Sequence, residues 1–257
     1  MPICNMPESE YRPLDRLNAT TLKLYSKCPA NVFAPFKTTA AMTLGTNFHH
    51  FVLEGEDSFH DHYYVTDKVD GRTTEGKAKN KEAIANANGR EIITTEDMQT
   101  IANMANSIYN QPSAMELLDA CPHREQVVLW DEDGIKCKAK IDAFGKYLVD
   151  IKTTQNSAHP MFMNNSFDRL YHMQMSFYLS GLRHNFHHVS SVCLIAVENT
   201  APYTCEVYEM TDEVLEWGES TYKELMRGWA DCKRTNAWPS YRNGGITQMR
   251  VPFWAKP

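Results

Sequence analysis

Two acids and a lysine, Asp142, Asp150 and Lys152, stand in the segment Lys138-Ala-Lys-Ile-Asp142-Ala-Phe-Gly-Lys-Tyr-Leu-Val-Asp150-Ile-Lys152-Thr-Thr154. That set suits metal-dependent cleavage of a phosphodiester. Carboxylate oxygens are hard ligands for Mg²⁺ or Mn²⁺, ions that keep several waters and take phosphate oxygens into their remaining positions. Such an ion polarises phosphorus and supplies hydroxide. A neighbouring ammonium orients or deprotonates the attacking water and screens the charge that builds on the phosphate. The spacing alone is only moderately specific, because strands also end in Asp and Lys simply to face solvent.

The elements around these residues would position them. Residues 135–143 and 146–153 read as consecutive strands, with Gly145 and Lys146 at the turn, because β-branched and aromatic residues alternate with polar ones. Asp142 and Asp150 then sit side by side. Asp150 and Lys152, two apart, leave the same face of their strand, while Ile151 faces a core.

Along the rest of the chain, 1–17 reads as an irregular arm, followed by a helix from Asn18 or Thr20 to Cys28-Pro29. A second helix through Thr43–Glu54 carries an apolar stripe, Leu44, Phe48, Phe51 and Val52, with Gly45 marking close packing. The stretch 70–81 reads as a polar, basic loop with Arg72, Lys77, Lys79 and Lys81, leading into a short helix that ends at Asn88-Gly89. Thr94, with Asp97 three residues on, opens a helix to about Ile108 that resumes after Pro112. A strand near 124–131 precedes the hairpin. A long helix over 167–183, strands over 189–198 and 203–210 and a final helix over 211–233 follow it. The order predicts an α/β fold, a central mixed sheet flanked by helices.

At 257 residues and 42% hydrophobic content, the chain suits one domain with helical elaboration. With no charged leader and no apolar run near the roughly 20 residues that span a bilayer, a cytoplasmic protein with no membrane association is expected. Seven cysteines without a C-x-x-C pair point to reduced thiols and away from structural zinc or an iron-sulfur cluster. The net charge of -6 disfavours broad duplex binding, yet a local basic groove beside clustered acids is compatible with it.

Three signatures line up along the sequence: Gly45-Thr46-x-x-His49, the Asp142 and Asp150-x-Lys152 hairpin, and Tyr171-His172-x-Gln174-x-x-x-Tyr178. Together they resemble the PD-(D/E)xK nuclease superfamily, most closely the exodeoxyribonuclease VIII type of phage and prophage recombination systems. Arg72-Thr-Thr-Glu-Gly-Lys77, Trp238-Pro-x-Tyr241 and Pro252-Phe-Trp254 are similar to that family as well. The resemblance implies a restriction-endonuclease-like core at 121–210, a helical part at 18–120 and a C-terminal helix and tail at 211–257. It implies His49, Asp142 and Asp150 as metal ligands with the Ile151 carbonyl as an extra one, Lys152 as catalytic lysine, and Gln174 and Tyr178 near the DNA, supporting the lysine or the strand being cut. His50 is the adjacent competitor of His49, and Glu125 is a further acid candidate on the preceding strand. Ile141 stands where the superfamily's proline is found and Asp150 where many members have glutamate; both changes keep the ligand chemistry.

With DNA as substrate, Arg72, Lys77 and Lys79 become candidates for phosphate contacts that position without reading sequence. The implied activity is Mg²⁺-dependent 5′ to 3′ degradation of linear double-stranded DNA from its ends by a homo-oligomeric ring, leaving a 3′ strand for a single-strand-annealing recombinase. An endonuclease or single-strand nuclease of the same superfamily, and an inactive DNA-end-binding accessory protein, remain the alternatives.

Overall fold

A computed structural model describes residues 3–35, 37–241, 245–246 and 248–252. In chain order its elements are β1 (Ile3–Cys4), α1 (Glu8–Tyr11), α2 (Ala19–Lys27), a 3-10 turn (Pro29–Phe33), α3 (Ala40–Glu54), α4 (Glu56–His62) and β2 (Tyr63–Thr66). Then come α5 (Thr74–Ala87), β3 (Glu91–Thr94), α6 (Thr95–Tyr109), α7 (Pro112–Asp119), β4 (His123–Glu132), β5 (Ile135–Phe144) and β6 (Tyr147–Thr154). The chain continues through α8 (Met161–Asp168), α9 (Tyr171–His184), β7 (Ser191–Glu198), β8 (Cys205–Glu209) and α10 (Asp212–Thr235).

Six strands form one mixed sheet in the order β1-β4-β5-β6-β7-β8, in which only β6 and β7 run parallel. The α/β class and the mixed sheet match the expectation. Both faces of the sheet are covered, which is why β7 reads as a nearly unbroken apolar run. Val192, Leu194 and Ala196 join one core with Leu22, Phe177 and Tyr222 from α2, α9 and α10. Cys193, Ile195 and Val197 join the other with Phe48, Ile101 and Leu118 from α3, α6 and α7. The seven cysteines are all free, and six of them are buried.

Helix starts follow the capping chemistry in the sequence. Asn18 accepts from Thr21 N–H, Thr94 from Asp97 N–H and Thr211 from Val214 N–H. Gly145 is required by contact: a Cβ there would lie 2.5 Å from Pro122 Cδ and 2.6 Å from the Ala120 carbonyl.

Several local expectations fail for physical reasons. The basic stretch is mostly helix, since Thr73 caps Gly76 N–H and α5 begins at Thr74, so Lys77, Lys79 and Lys81 lie on a helix. The helix expected over 167–183 is two, parted where Leu170 adopts φ 54, a left-handed backbone that a leucine gives no sequence sign of. The arm is tied down: Ile3 and Cys4 pair with β4, and the Lys138 ammonium donates to the carbonyls of Tyr11, Arg12 and Leu14 at 2.8, 3.0 and 3.0 Å. The short parallel pair β2 and β3 and the helix α4 have no counterpart in the sequence reading.

Candidate active site at the parting of two strands

The hairpin forms as read, but its ladder is short. Strands β5 and β6 pair only through Ala143 with Val149 and Phe144 with Leu148. The next position in register would be Asp142 opposite Asp150, and there the strands part. The Asp142 carboxylate takes over the role of a strand carbonyl, accepting the Ile151 N–H at 2.8 Å. Ile151 itself is fully buried, as predicted.

Each acid is met by a different helix. His49 of α3 places Nδ1 3.4 Å from Asp142 Oδ2, and α3 reaches the sheet because Gly45 lets Thr153 approach, with only 3.3 Å between a Cβ at 45 and Thr153 Oγ1. Its neighbour His50 turns elsewhere, to Ser58 Oγ at 3.2 Å and Glu54 at 3.4 Å, which separates the two candidates. Gln174 of α9 donates its Nε2 to Asp150 Oδ1 at 2.9 Å and to the Tyr178 hydroxyl at 3.1 Å. Gln174 thus links Asp150 to the Tyr178 hydroxyl. Lys152 forms an ion pair with Asp150 Oδ2 and rests 4.7 Å above the Tyr171 ring.

The charges at the site push its groups apart. Burial raises Asp150 above the ordinary carboxylate range, aided by Asp142 and opposed by Lys152. Burial would raise Asp142 too, but His49, Lys152 and the Ile151 N–H hold it below that range. Burial pulls His49 and Lys152 down, yet the acids win: Asp142 raises His49, and Asp150 with Asp142 raises Lys152. Neighbouring acids with opposite shifts are an arrangement that suits acid-base and ligand roles.

Glu125 belongs to the site. The hairpin turn at Asp133-Gly134, both at positive φ, sets Arg124 opposite Ala143 and Gln126 opposite Ile141, which leaves Glu125 opposite Asp142. Glu125 takes φ 51, a strained backbone for a non-glycine residue of the kind that concentrates at functional sites. Its carboxylate pairs with Lys140 at 2.6 Å, while burial and Asp142 raise its pKa. His49, Glu125 and Asp142 each offer a ligand atom within 4.8 Å of the others, a group able to hold a metal ion. One nitrogen and two carboxylates fit a divalent cation. Asp150 lies outside that trio, and its buried Oδ2 faces the Lys152 ammonium.

The predicted basic contacts do not join this cluster. Arg72 is 91% exposed and bound to Asp70, Lys79 pairs with Glu75 at 2.8 Å, and both belong to the turn and helix packed on β2 and β3. Instead the sequence reading missed Lys23 of α2, whose ammonium donates to Gln174 Oε1 at 2.5 Å across 151 residues of chain. Tertiary packing alone brings it there. Near the C-terminus Trp238 packs edge-on against Phe33, which fits a packing role, whereas Trp254 lies outside the described residues.

Residues 18–251 match the family described as a PDDEXK-like domain of unknown function, DUF3799. No curated protein matches the sequence. Among solved structures, the fold is similar to a Eubacterium rectale protein provisionally named an exonuclease, with TM-score 0.67 and 11% identity over 97% of both chains. LHK-Exo in complex with dAMP aligns over 64% of this chain and 87% of its own at 15% identity, but the TM-score of 0.26 carries no weight.

Proposed function

The chain belongs to the DUF3799 family of PDDEXK-like domains, and from that footing we propose that it is a metal-dependent deoxyribonuclease, specifically a 5′ to 3′ exonuclease of the exodeoxyribonuclease VIII type. Its substrate is the end of linear double-stranded DNA, and its product is a 3′ strand ready for a single-strand-annealing recombinase. Residues 1–257 act as one nuclease domain, assembled as a homo-oligomeric ring. The observation that carries this reading is the parting of β5 and β6, where Asp142, Asp150 and Lys152 converge with His49 and Glu125. The provisional name of the Eubacterium rectale protein of similar fold supports the exonuclease choice.

His49, Glu125 and Asp142 would hold the cation, Mg²⁺ or Mn²⁺, with Asp150 and the Ile151 carbonyl as further ligands. When bound, the cation polarises a phosphate oxygen and acidifies a coordinated water. The protein groups do the rest. Lys152, kept charged by Asp150 and Asp142, orients the attacking water and offsets charge on the phosphate. Gln174 fixes Asp150 from behind, and the Tyr178 hydroxyl stays protonated because burial raises its pKa well above the usual value. Arg72, Lys77 and Lys79 contact the DNA backbone away from the cut.

Linear duplex labelled at the 5′ or the 3′ end, together with a closed circle, tests this in Mg²⁺ and in EDTA. Early release of 5′ label with the circle intact is the expected result. A nicked or linearised circle would make the enzyme an endonuclease, and binding without cleavage would make it an accessory protein.

A further inference from the structure

Helix α2 delivers a second lysine to this site. Lys23 sits 4.9 Å above the same Tyr171 ring that carries Lys152, and its ammonium donates to Gln174 Oε1 at 2.5 Å. The other end of that amide donates to Asp150 Oδ1 and to the Tyr178 hydroxyl. Turning the amide over would set two donors against each other at Lys23 and two acceptors at Asp150, so the lysine and the acid together admit one orientation. In that orientation one Asp150 oxygen is occupied, and the other is free to face Lys152.

We propose that Lys23 is a positioning residue of the active centre: its ammonium clamps the Gln174 amide and so fixes the Asp150 carboxylate. The proposal rests on the nuclease reading for its catalytic meaning. The location is costly for a cation. Lys23 has neutral hydrogen-bond and ring partners and makes no ion pair among the described residues. Burial, Lys152, Arg169 and Lys27 all act against its charge, with Asp150 opposing them, and it adds to the burial that depresses the nearby His172. A methionine would fill the same space without that cost, so a purely structural role predicts no penalty for the exchange.

The test compares wild type, K23M, K23R, Q174A and the K23M/Q174A double variant on 5′-labelled duplex at saturating Mg²⁺. Partners that orient a ligand are worth roughly ten- to a hundredfold in activity. We expect K23M to lower kcat by about tenfold with KM unchanged and with Tm unchanged or raised. K23R should recover part of the loss, and K23M should cost nothing further once Gln174 is gone. A raised KM at normal kcat would overturn the proposal by making Lys23 a phosphate contact, as would losses that add in the double variant. Selective ¹⁵N labelling of glutamine gives a reading independent of cleavage. Gln174 side-chain amide signals that move in K23M uphold the clamp, and unmoved signals overturn it. Wild type that cuts nothing would sink the nuclease reading alone, because the amide signals still decide the clamp.

Discussion

Asp142 and Asp150 have the same side chain and opposite shifts: at Asp142 the pull of His49, Lys152 and the Ile151 N–H outweighs burial, whereas at Asp150 burial outweighs Lys152. Asp150 is buried against the Lys152 ammonium, so D150N keeps the side-chain shape but leaves that ammonium without its charge partner. D150N is expected to lower turnover on the order of a thousandfold and to lower Tm, checked by cleavage assays beside thermal melts. A variant with normal turnover would remove Asp150 from the site. Lys23 gives a pH signature of the opposite kind to an ion-paired lysine. Burial, then Lys152, lowers it to about 7 from 10.5. Between those values the unfolded chain binds more protons than the folded one, so stability should climb as pH rises from about 7 toward 10.5. Melts at pH 7 and pH 9 check this, and K23M should flatten the rise. Residues with a local pattern, the Asp142/Asp150/Lys152 set and the Gln174/Tyr178 pair, were legible in the sequence. Lys23 was not, since no spacing rule links α2 to α9.

At the scale of elements, legibility followed length and chemistry. Capped helices and strands of eight or more residues, such as α6 and β5, were readable from periodicity. The four-residue strands β2 and β3 are too short for alternation to register, and the break before α9 falls at a leucine with left-handed backbone, which no residue type there announces. Glu125 had a usable signal that went unread: the two-residue Asp133-Gly134 turn fixes the β4–β5 register and hence the partner of Asp142. The same β4 strand ends in a pin between layers. Buried Glu132 accepts from Trp130 Nε1, Ser180 Oγ and Tyr222 Oη at 3.0, 2.8 and 2.8 Å, joining β4 to α9 and α10. Y222F should therefore cost about 2 kcal/mol, the worth of a hydrogen bond to a charged acceptor, with kcat untouched. Urea melts check the first part and the cleavage assay the second.

For the whole molecule, the net charge of -6 requires that on the proposed reading DNA be held locally against a repulsive surface. Even two phosphate contacts imply about a tenfold loss of affinity between roughly 50 and 200 mM salt. Anisotropy of a labelled duplex end in Ca²⁺ measures that slope, and a flat profile would rule out backbone contacts. No helix among the described residues is long and apolar enough to cross a membrane. The architecture has both layers meet at the parted strands, α3 reaching Asp142 from one side and α9 reaching Asp150 from the other. Because the Asp142 carboxylate also holds the Ile151 N–H, one carboxylate serves two masters. An ion that draws on Asp142 must tug at a backbone amide in the middle of the sheet. Hydrogen exchange at Ile151 should then change when Mn²⁺ or Mg²⁺ is added, before any DNA is present. In D142N it should not. Such a change would make that amide a built-in reporter of occupancy, read from the backbone rather than from the product.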